Sequence, residues 1–176
     1  MIRRRGFTLY ELLITLLIAA ATLAFGVPSF AALMARQQQR VEIDALFHAI
    51  HLARKESIMR RRVVSLCPSE DGTTCLSGKD WSQGWIMFEN TDRDSPPQLD
   101  DDEVLLQRHV VAESVTIRAN RKGFTLRSLY LRATNGTLVV CDLHDRVAPR
   151  ALVVSYTGRP RVASAKTSGE PYSCAD

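Results

Sequence analysis

The hydrophobic pattern divides the first third of the chain into two helical segments. The 24 residues from Leu12 to Ala35 carry no charged side chain. A helix of that length reaches roughly 36 Å, which is enough to cross a hydrocarbon core of about 30 Å. From Met34 to Arg62, apolar residues recur at three- and four-residue spacing between polar ones, as in an amphipathic helix. The pattern predicts one long helix over residues 7–62, whose second half packs on a globular head.

After Arg62 the pattern changes to short runs that are rich in β-branched and aromatic residues, which predict strands. Turn-forming dipeptides separate the runs, and one of them, Asn135-Gly136, is typical of a two-residue hairpin turn. The predicted fold is α+β, with a long helix packed on an antiparallel sheet or on two sheets. The predicted strands are Val63–Leu66, Trp85–Phe88, Val104–Leu106, Val115–Ile117, Leu129–Leu131, Thr137–Val140 and Ala151–Val154.

Four cysteines follow the apolar segment, and an even number in an exported chain indicates two disulfides, for which three pairings exist. We favour Cys67–Cys75, which closes a short local loop, and Cys141–Cys174, which attaches the C-terminal tail. A zinc site is less favoured, because the sequence has no C-x-x-C pair and its spacings are unlike those of a zinc ribbon.

Charge is unevenly distributed along the chain. The formal net charge is +4, but Arg3, Arg4 and Arg5 precede the apolar segment and account for most of it. Residues 89–103 contain seven acidic residues and one arginine, and we expect an exposed loop over Asp92–Asp102. Residues 114–166 contain ten basic and two acidic residues. This basic C-terminal half indicates a polyanionic partner.

The segment Gly6-Phe7-Thr8-Leu9-Tyr10-Glu11, followed by the long apolar helix, resembles the class III leader of type IV pilins and type II secretion pseudopilins. The resemblance implies cleavage after Gly6 by a prepilin peptidase and methylation of the new amine on Phe7. It also implies that Glu11 pairs with the N-terminal amine of a neighbouring subunit, and that Pro28 kinks the helix. Such a pairing would offset the roughly 2.5–3.5 kcal/mol cost of a charge within a membrane helix.

A secretory signal peptide cleaved after Ala21 is the less favoured alternative, because the apolar run continues well past that residue. The leader resemblance divides the chain into a leader peptide (1–6), a transmembrane or pilus-core helix (7–35), an amphipathic helix (36–62) and a β-rich head with a disulfide-attached tail (63–176). It implies a single-pass inner-membrane protein with a periplasmic head, which later enters a pilus or pseudopilus.

Three segments of the head are similar to the GspH/FimT group of minor pilins and pseudopilins, which includes FimU. They are the helix end at residues 53–63, the segment 79–88 and the segment 152–161. The resemblance implies the pilin fold and association with other major and minor pilins in a filament. We expect Trp81 and Trp85 of the second segment to pack in the core of the head.

The segment Gly158-Arg159-Pro160-Arg161 resembles the Gly-Arg-x-Arg motif that contributes to DNA binding in FimT-type minor pilins of naturally transformable bacteria. An extended backbone around Pro160 would let Arg159 and Arg161 project to one side, where guanidinium groups suit phosphate oxygens. Gly158 would leave room for close approach of the ligand.

Three further basic residues near the motif, Arg146, Arg150 and Lys166, extend the predicted double-stranded DNA site. The alternative is a purely structural minor pilin or pseudopilin, FimU- or GspH-like, which primes or caps the filament of a type IV pilus or a type II secretion system.

Catalysis and cofactor binding find no support in the sequence. It contains no Walker loop, no H-E-x-x-H and no G-x-S-x-G motif. His48 and His51 are spaced for one helix face, but without a third ligand nearby we expect them to be packed or solvated. We therefore expect a protein that is not an enzyme and has neither a metal nor a cofactor.

Overall fold

Residues 8–128 and 132–174 are described by a computed structural model, in which the chain divides at Met34 into two compact units. Helix α1 runs from Leu9 to Arg60 and contains Pro28. It includes an 18-residue window with a mean hydropathy of 2.1, near the N-terminus and without buried residues. The helix is therefore long and apolar enough to cross a membrane, as the sequence predicts.

Within the second unit, one face of α1 packs on the head. Its buried residues recur at three- and four-residue intervals, which is the spacing of an amphipathic helix. They are Ala35, Gln39, Glu42, Ile43, Leu46, Ala49, Ile50, Ala53 and Ser57.

The head consists of two four-stranded sheets in which every strand pairing is antiparallel. The first has the strand order β3-β2-β1-β5 and the second the order β4-β6-β7-β8. The strands are β1 (Val64–Pro68), β2 (Gly84–Glu89), β3 (Leu105–Val110), β4 (Val115–Ala119), β5 (Phe124–Leu126), β6 (Gly136–Asp142), β7 (Arg150–Val154) and β8 (Pro160–Ala163). The predicted α+β fold, with a long helix packed on antiparallel sheets, is confirmed.

One hydrophobic core joins α1 to both sheets. Leu46 and Ile50 of the helix share it with Trp81, Trp85 and Phe124, all of them buried. The rings of Trp81 and Phe124 meet edge to face at a centroid distance of 5.7 Å. The core positions expected for both tryptophans are confirmed. Every buried residue in the described part of the chain lies in the second unit, so this unit has a complete core of its own.

Buried polar contacts set the position of α1 on the sheets. Glu42 Oε1 accepts a hydrogen bond from the Ala112 N–H at 3.1 Å, and Glu42 Oε2 lies 2.7 Å from His109 Nε2. Gln39 Nε2 donates to the carbonyl oxygens of Val140 and Ala148, both at 3.0 Å. Because Gln39 and Glu42 are buried, sliding the helix along the head would leave these groups without partners.

The hairpin turn predicted at Asn135-Gly136 is wrong. Strand β5 belongs to the first sheet and β6 to the second, so the chain crosses between the sheets at this point. Strands β5 and β8 were not predicted, because segments of three and four residues are too short to show a period. The strand predicted at Leu129–Leu131 lies outside the described residues. The acidic segment forms the expected loop between β2 and β3.

Candidate functional site

Gly158 is required by the hairpin that joins β7 to β8. The Gly158 N–H donates to the Ser155 carbonyl at 2.9 Å, and the Ser155 N–H donates to the Arg159 carbonyl at 3.1 Å. Gly158 has a φ of 70°, in the left-handed region that favours glycine. A Cβ at this position would lie 2.8 Å from Leu126 Cδ1. Gly158 is buried, so it shapes the turn and the packing beneath it rather than admitting a ligand, which corrects the sequence-based explanation.

Arg161 lies on the solvent-facing side of the second sheet. It is paired with Val153, and cross-strand partners share a face, whereas the neighbouring Leu152 points into the core. Arg118 shares this outer face, opposite Val139. These side chains contribute to a cavity of about 570 Å³, here called the basic groove.

The basic groove combines cationic side chains with an apolar floor. Its described lining contains the cations Lys79, Arg118, Arg161 and Lys166 and no acidic residue. Asp80 approaches Arg118 from outside the lining, with 3.8 Å between its carboxylate and the guanidinium. Both groups are more than half exposed, so this ion pair compensates little of the positive charge.

The C-terminal tail forms one wall of the basic groove. The Lys166 N–H donates to the Glu170 carbonyl at 2.8 Å, and the Gly169 N–H donates to the Lys166 carbonyl at 3.0 Å, so the tail folds back in a tight turn. The Cys141–Cys174 disulfide then attaches its end to β6. Both favoured disulfides, this one and Cys67–Cys75, are confirmed.

Arg159 lines a different cavity from Arg161, although both side chains are exposed. This second cavity, of about 500 Å³, lies between the hairpin and helix α1, where Arg159 joins His51, Arg54 and Lys55. Arg159 belongs to the hairpin turn that precedes β8, where its carbonyl accepts the Ser155 N–H, whereas Arg161 lies within β8.

Arg146 has a structural partner. Its guanidinium binds the buried Asp142 carboxylate through two hydrogen bonds, Nη2–Oδ1 at 2.6 Å and Nε–Oδ2 at 2.9 Å. These bonds hold the pKa of Asp142 at about 2, below its ordinary value of 3.8. The charge of Arg146 is thereby compensated. Arg150 is exposed, but it lies opposite the core residue Val140 in the neighbouring strand. It therefore lies on the opposite face of the sheet from Arg161. The structure does not bring these two predicted residues into the basic groove.

Lys79 and Arg118 are the groove residues that the sequence analysis missed. They lie far from the Arg159 motif in the chain. Strand pairing brings Arg118 to the same sheet as Arg161, and the bridge between Asp80 and Arg118 brings Lys79 beside it. The alternation in β4, where Arg118 is exposed between the buried Ile117 and Ala119, marks it as outward-facing. No local signal indicates which other strands share that face.

At the N-terminus, the predicted processing residues Gly6 and Phe7 lie outside the described residues. Thr8 and Glu11 form a capping box at the start of α1: Glu11 N–H donates to Thr8 Oγ1 at 3.3 Å, and Thr8 N–H donates to Glu11 Oε2 at 3.5 Å. Glu11 therefore has a local partner for its carboxylate within the single chain.

The histidines of α1 do not form a metal site in the described part of the chain, where no group of three or more His, Cys, Asp or Glu residues is placed to hold an ion. His48 is exposed. The His51 ring lies against Phe47 at a centroid distance of 4.7 Å.

The chain matches the family model of the type II transport protein GspH over residues 42–158, two-thirds of its length. Two crystal structures of the type IV minor pilin FimU of Pseudomonas aeruginosa PAO1 have the same fold, with TM-scores of 0.52 and 0.55 at 21% and 22% identity. The alignments cover 78% and 79% of this chain and 98% and 96% of those chains. No curated protein sequence matches the chain.

The minor pseudopilin EpsH of the Vibrio cholerae type 2 secretion system is also similar, with a TM-score of 0.52 at 10% identity over 72% of this chain and 96% of EpsH. At these identities the solved structures establish the fold, while the family model establishes the family. The apolar N-terminal helix fits a membrane-anchored filament component, and the family implies association with other pilins. The chain therefore belongs to the GspH family and is a minor pilin or pseudopilin of the GspH/FimU type.

Proposed function

We propose that the head of this minor pilin binds DNA without sequence preference through the basic groove and the adjoining β7–β8 hairpin. The observation that carries the proposal is the groove lining, with four cationic side chains and no acidic one. Lysine and arginine in such a setting contact phosphate oxygens, which supply the sequence-independent part of DNA binding. The resemblance of residues 158–161 to the motif of FimT-type pilins supports the same ligand and a role in natural transformation.

Arg159 and Arg161 act together only on a ligand that is larger than one cavity. They are two residues apart, about 6–7 Å along a strand. A duplex that lies across the hairpin therefore reaches both, although each lines a separate cavity. We expect two residues to contribute little to DNA binding: Arg146, which is bound to Asp142, and Arg150, which lies on the opposite face of the sheet.

The test is duplex binding by the oxidised head, residues 35–176, at increasing salt concentration. The wild-type head should bind at low salt and lose affinity steeply, with a slope near −0.9 per phosphate contact in log K against log salt. Arg159→Gln combined with Arg161→Gln should abolish most binding. The matched control is Arg93→Gln combined with Arg108→Gln, which removes two exposed charges outside both cavities.

Two results would contradict the proposal: no binding by the wild-type head at low salt, or equal losses in the motif variant and the control variant. In a transformable host, the Arg159/Arg161 variant should lose DNA uptake while still assembling pili. If the wild-type head binds neither duplex nor single-stranded DNA, the similarity to FimU and EpsH favours the second candidate, a structural subunit that primes or caps the filament.

Processing is part of the same proposal. A prepilin peptidase would cleave after Gly6, Phe7 would be methylated, and Glu11 would exchange its capping contact for the amine of a neighbouring subunit. The head would face the periplasm before assembly. Gly6→Val should leave an uncleaved precursor in a host that has the peptidase, as judged by N-terminal sequencing. A mature chain that begins near Thr22 would instead indicate signal-peptidase cleavage.

A further inference from the structure

The basic groove contains a feature that phosphate binding does not require. Between its cations the floor is formed by Val139 and Val153, and the ring-bearing side chain of Tyr172 lines it from the tail. A site for phosphate alone needs only donors and positive charge. An apolar floor with an aromatic wall instead favours a ligand that has both an anionic and a flat apolar part.

The sheet register separates the anionic and apolar parts of the site. Arg118 is on β4 and Arg161 is on β8, at opposite edges of the second sheet, with β6 and β7 between them. Three strand spacings of about 4.8 Å place their backbones roughly 14 Å apart across the sheet. The two valines lie on the intervening strands, so the cations flank an apolar floor.

We infer that the basic groove accommodates an unpaired nucleotide, so that the head binds single-stranded DNA in preference to duplex; this rests on the proposed function. The groove cations bind the backbone phosphates, and the base lies on the valine floor against Tyr172. In a duplex the bases are stacked and paired, so their faces are not available to this floor. Because every base has such a face, the contact adds affinity without reading sequence.

The tail makes this preference testable at one residue. Tyr172 belongs to the wall attached by the Cys141–Cys174 disulfide, and it contributes no charge. Replacing it removes the aromatic surface and keeps all four cations. Val110 is the control, since it is an exposed apolar residue on β3 of the first sheet and lines neither cavity.

The experiment compares the oxidised wild-type head with the Tyr172→Ala and Val110→Ala variants. Fluorescence anisotropy at fixed low salt measures binding of a labelled thymidine oligonucleotide and of a duplex of the same length. Wild type should bind the single strand more tightly. Tyr172→Ala should weaken single-strand binding by about 5- to 100-fold, the range for loss of one stacked base, and leave duplex binding unchanged. Val110→Ala should change neither, and circular dichroism should show that both variants are folded.

A competition experiment distinguishes contacts to the base from contacts to the phosphate. Thymidine 5′-monophosphate should displace the labelled strand from wild type at lower concentration than inorganic phosphate does, and this advantage should disappear in Tyr172→Ala. Duplex binding without a single-strand preference, or equal losses for both DNAs in Tyr172→Ala, overturns this inference and leaves the proposed function standing. No binding of either DNA by wild type overturns both.

Discussion

Replacing Gly158 with alanine distinguishes a structural role of this glycine from a ligand-binding one. A β-carbon at this position costs energy for two reasons. The backbone has a φ of 70°, where an L-residue costs roughly 1–2 kcal/mol. The new methyl would also lie 2.8 Å from Leu126 Cδ1, and overpacking in a core typically costs about 1–3 kcal/mol. Because Leu126 is only 1% exposed, it has little room to move. We expect Gly158→Ala to destabilise the head by about 2–4 kcal/mol.

Gly169→Ala is the matched control for the backbone contribution. Gly169 has a similar φ of 87°, but a β-carbon there would meet no atom within 4 Å. It should therefore cost only the conformational strain, about 1 kcal/mol or less if the tail relaxes. The difference between the two variants isolates the packing of Gly158 against Leu126.

Urea denaturation of the oxidised heads measures both free energies of unfolding, and duplex binding is measured under conditions in which each variant is fully folded. We expect Gly158→Ala to lose stability and to keep wild-type affinity per folded molecule. The reasoning is refuted if Gly158→Ala is as stable as Gly169→Ala. It is also refuted if stability is unchanged while DNA affinity falls, since glycine would then serve the ligand.

Three further predictions concern the rest of the head. Asp142 has a folded-state pKa of about 2 against an ordinary 3.8, so the stability that it gains from Arg146 is present above about pH 4 and is lost as the pH falls toward 2. In urea denaturation, Asp142→Asn should be less stable than wild type at neutral pH and should lose less stability on acidification. Arg61 follows the C-terminus of α1 with a φ of 55°, so Arg61→Gly should raise the free energy of unfolding by about 0.5–1 kcal/mol in the same assay. Replacing Cys141 and Cys174 with serine opens a loop with a sequence separation of 33, which should cost about 3–4 kcal/mol of stability. Because the tail wall of the groove is then no longer attached, DNA binding measured by anisotropy should also weaken.

The helix and most strands could be predicted because their signals are local. The uncharged apolar segment, the helical spacing of buried residues in α1 and the β-branched runs each depend on neighbouring residues in the chain. The Asn135-Gly136 turn shows the limit of such signals. A hairpin needs its two flanking strands to pair, and here the flanking strands pair with partners in different sheets.

The candidate site could be predicted only in part. Proximity in sequence grouped Arg146, Arg150, Arg159 and Arg161, yet each has a different position in the fold. Arg146 forms an ion pair with Asp142, and Arg150 lies on the opposite face of the sheet from Arg161. Arg159 lines the cavity between the hairpin and α1. Of the basic residues that the sequence predicts for the DNA site, Arg161 and Lys166 line the basic groove.

The sequence by itself determined the apolar helix, the α+β class and the resemblance to the pilin group, because these follow from composition, periodicity and contiguous motifs. It left three pairings of the four cysteines open, and the structure decided among them. Only the tertiary structure decided which basic residues share a surface. Lys79, Arg118 and Arg161 come from distant parts of the chain. The register of the second sheet places Arg118 and Arg161 around one apolar floor, and the bridge between Asp80 and Arg118 brings the adjacent Lys79 to it. That register depends on the packing of two sheets against one helix, and such long-range packing leaves no signal within any single segment.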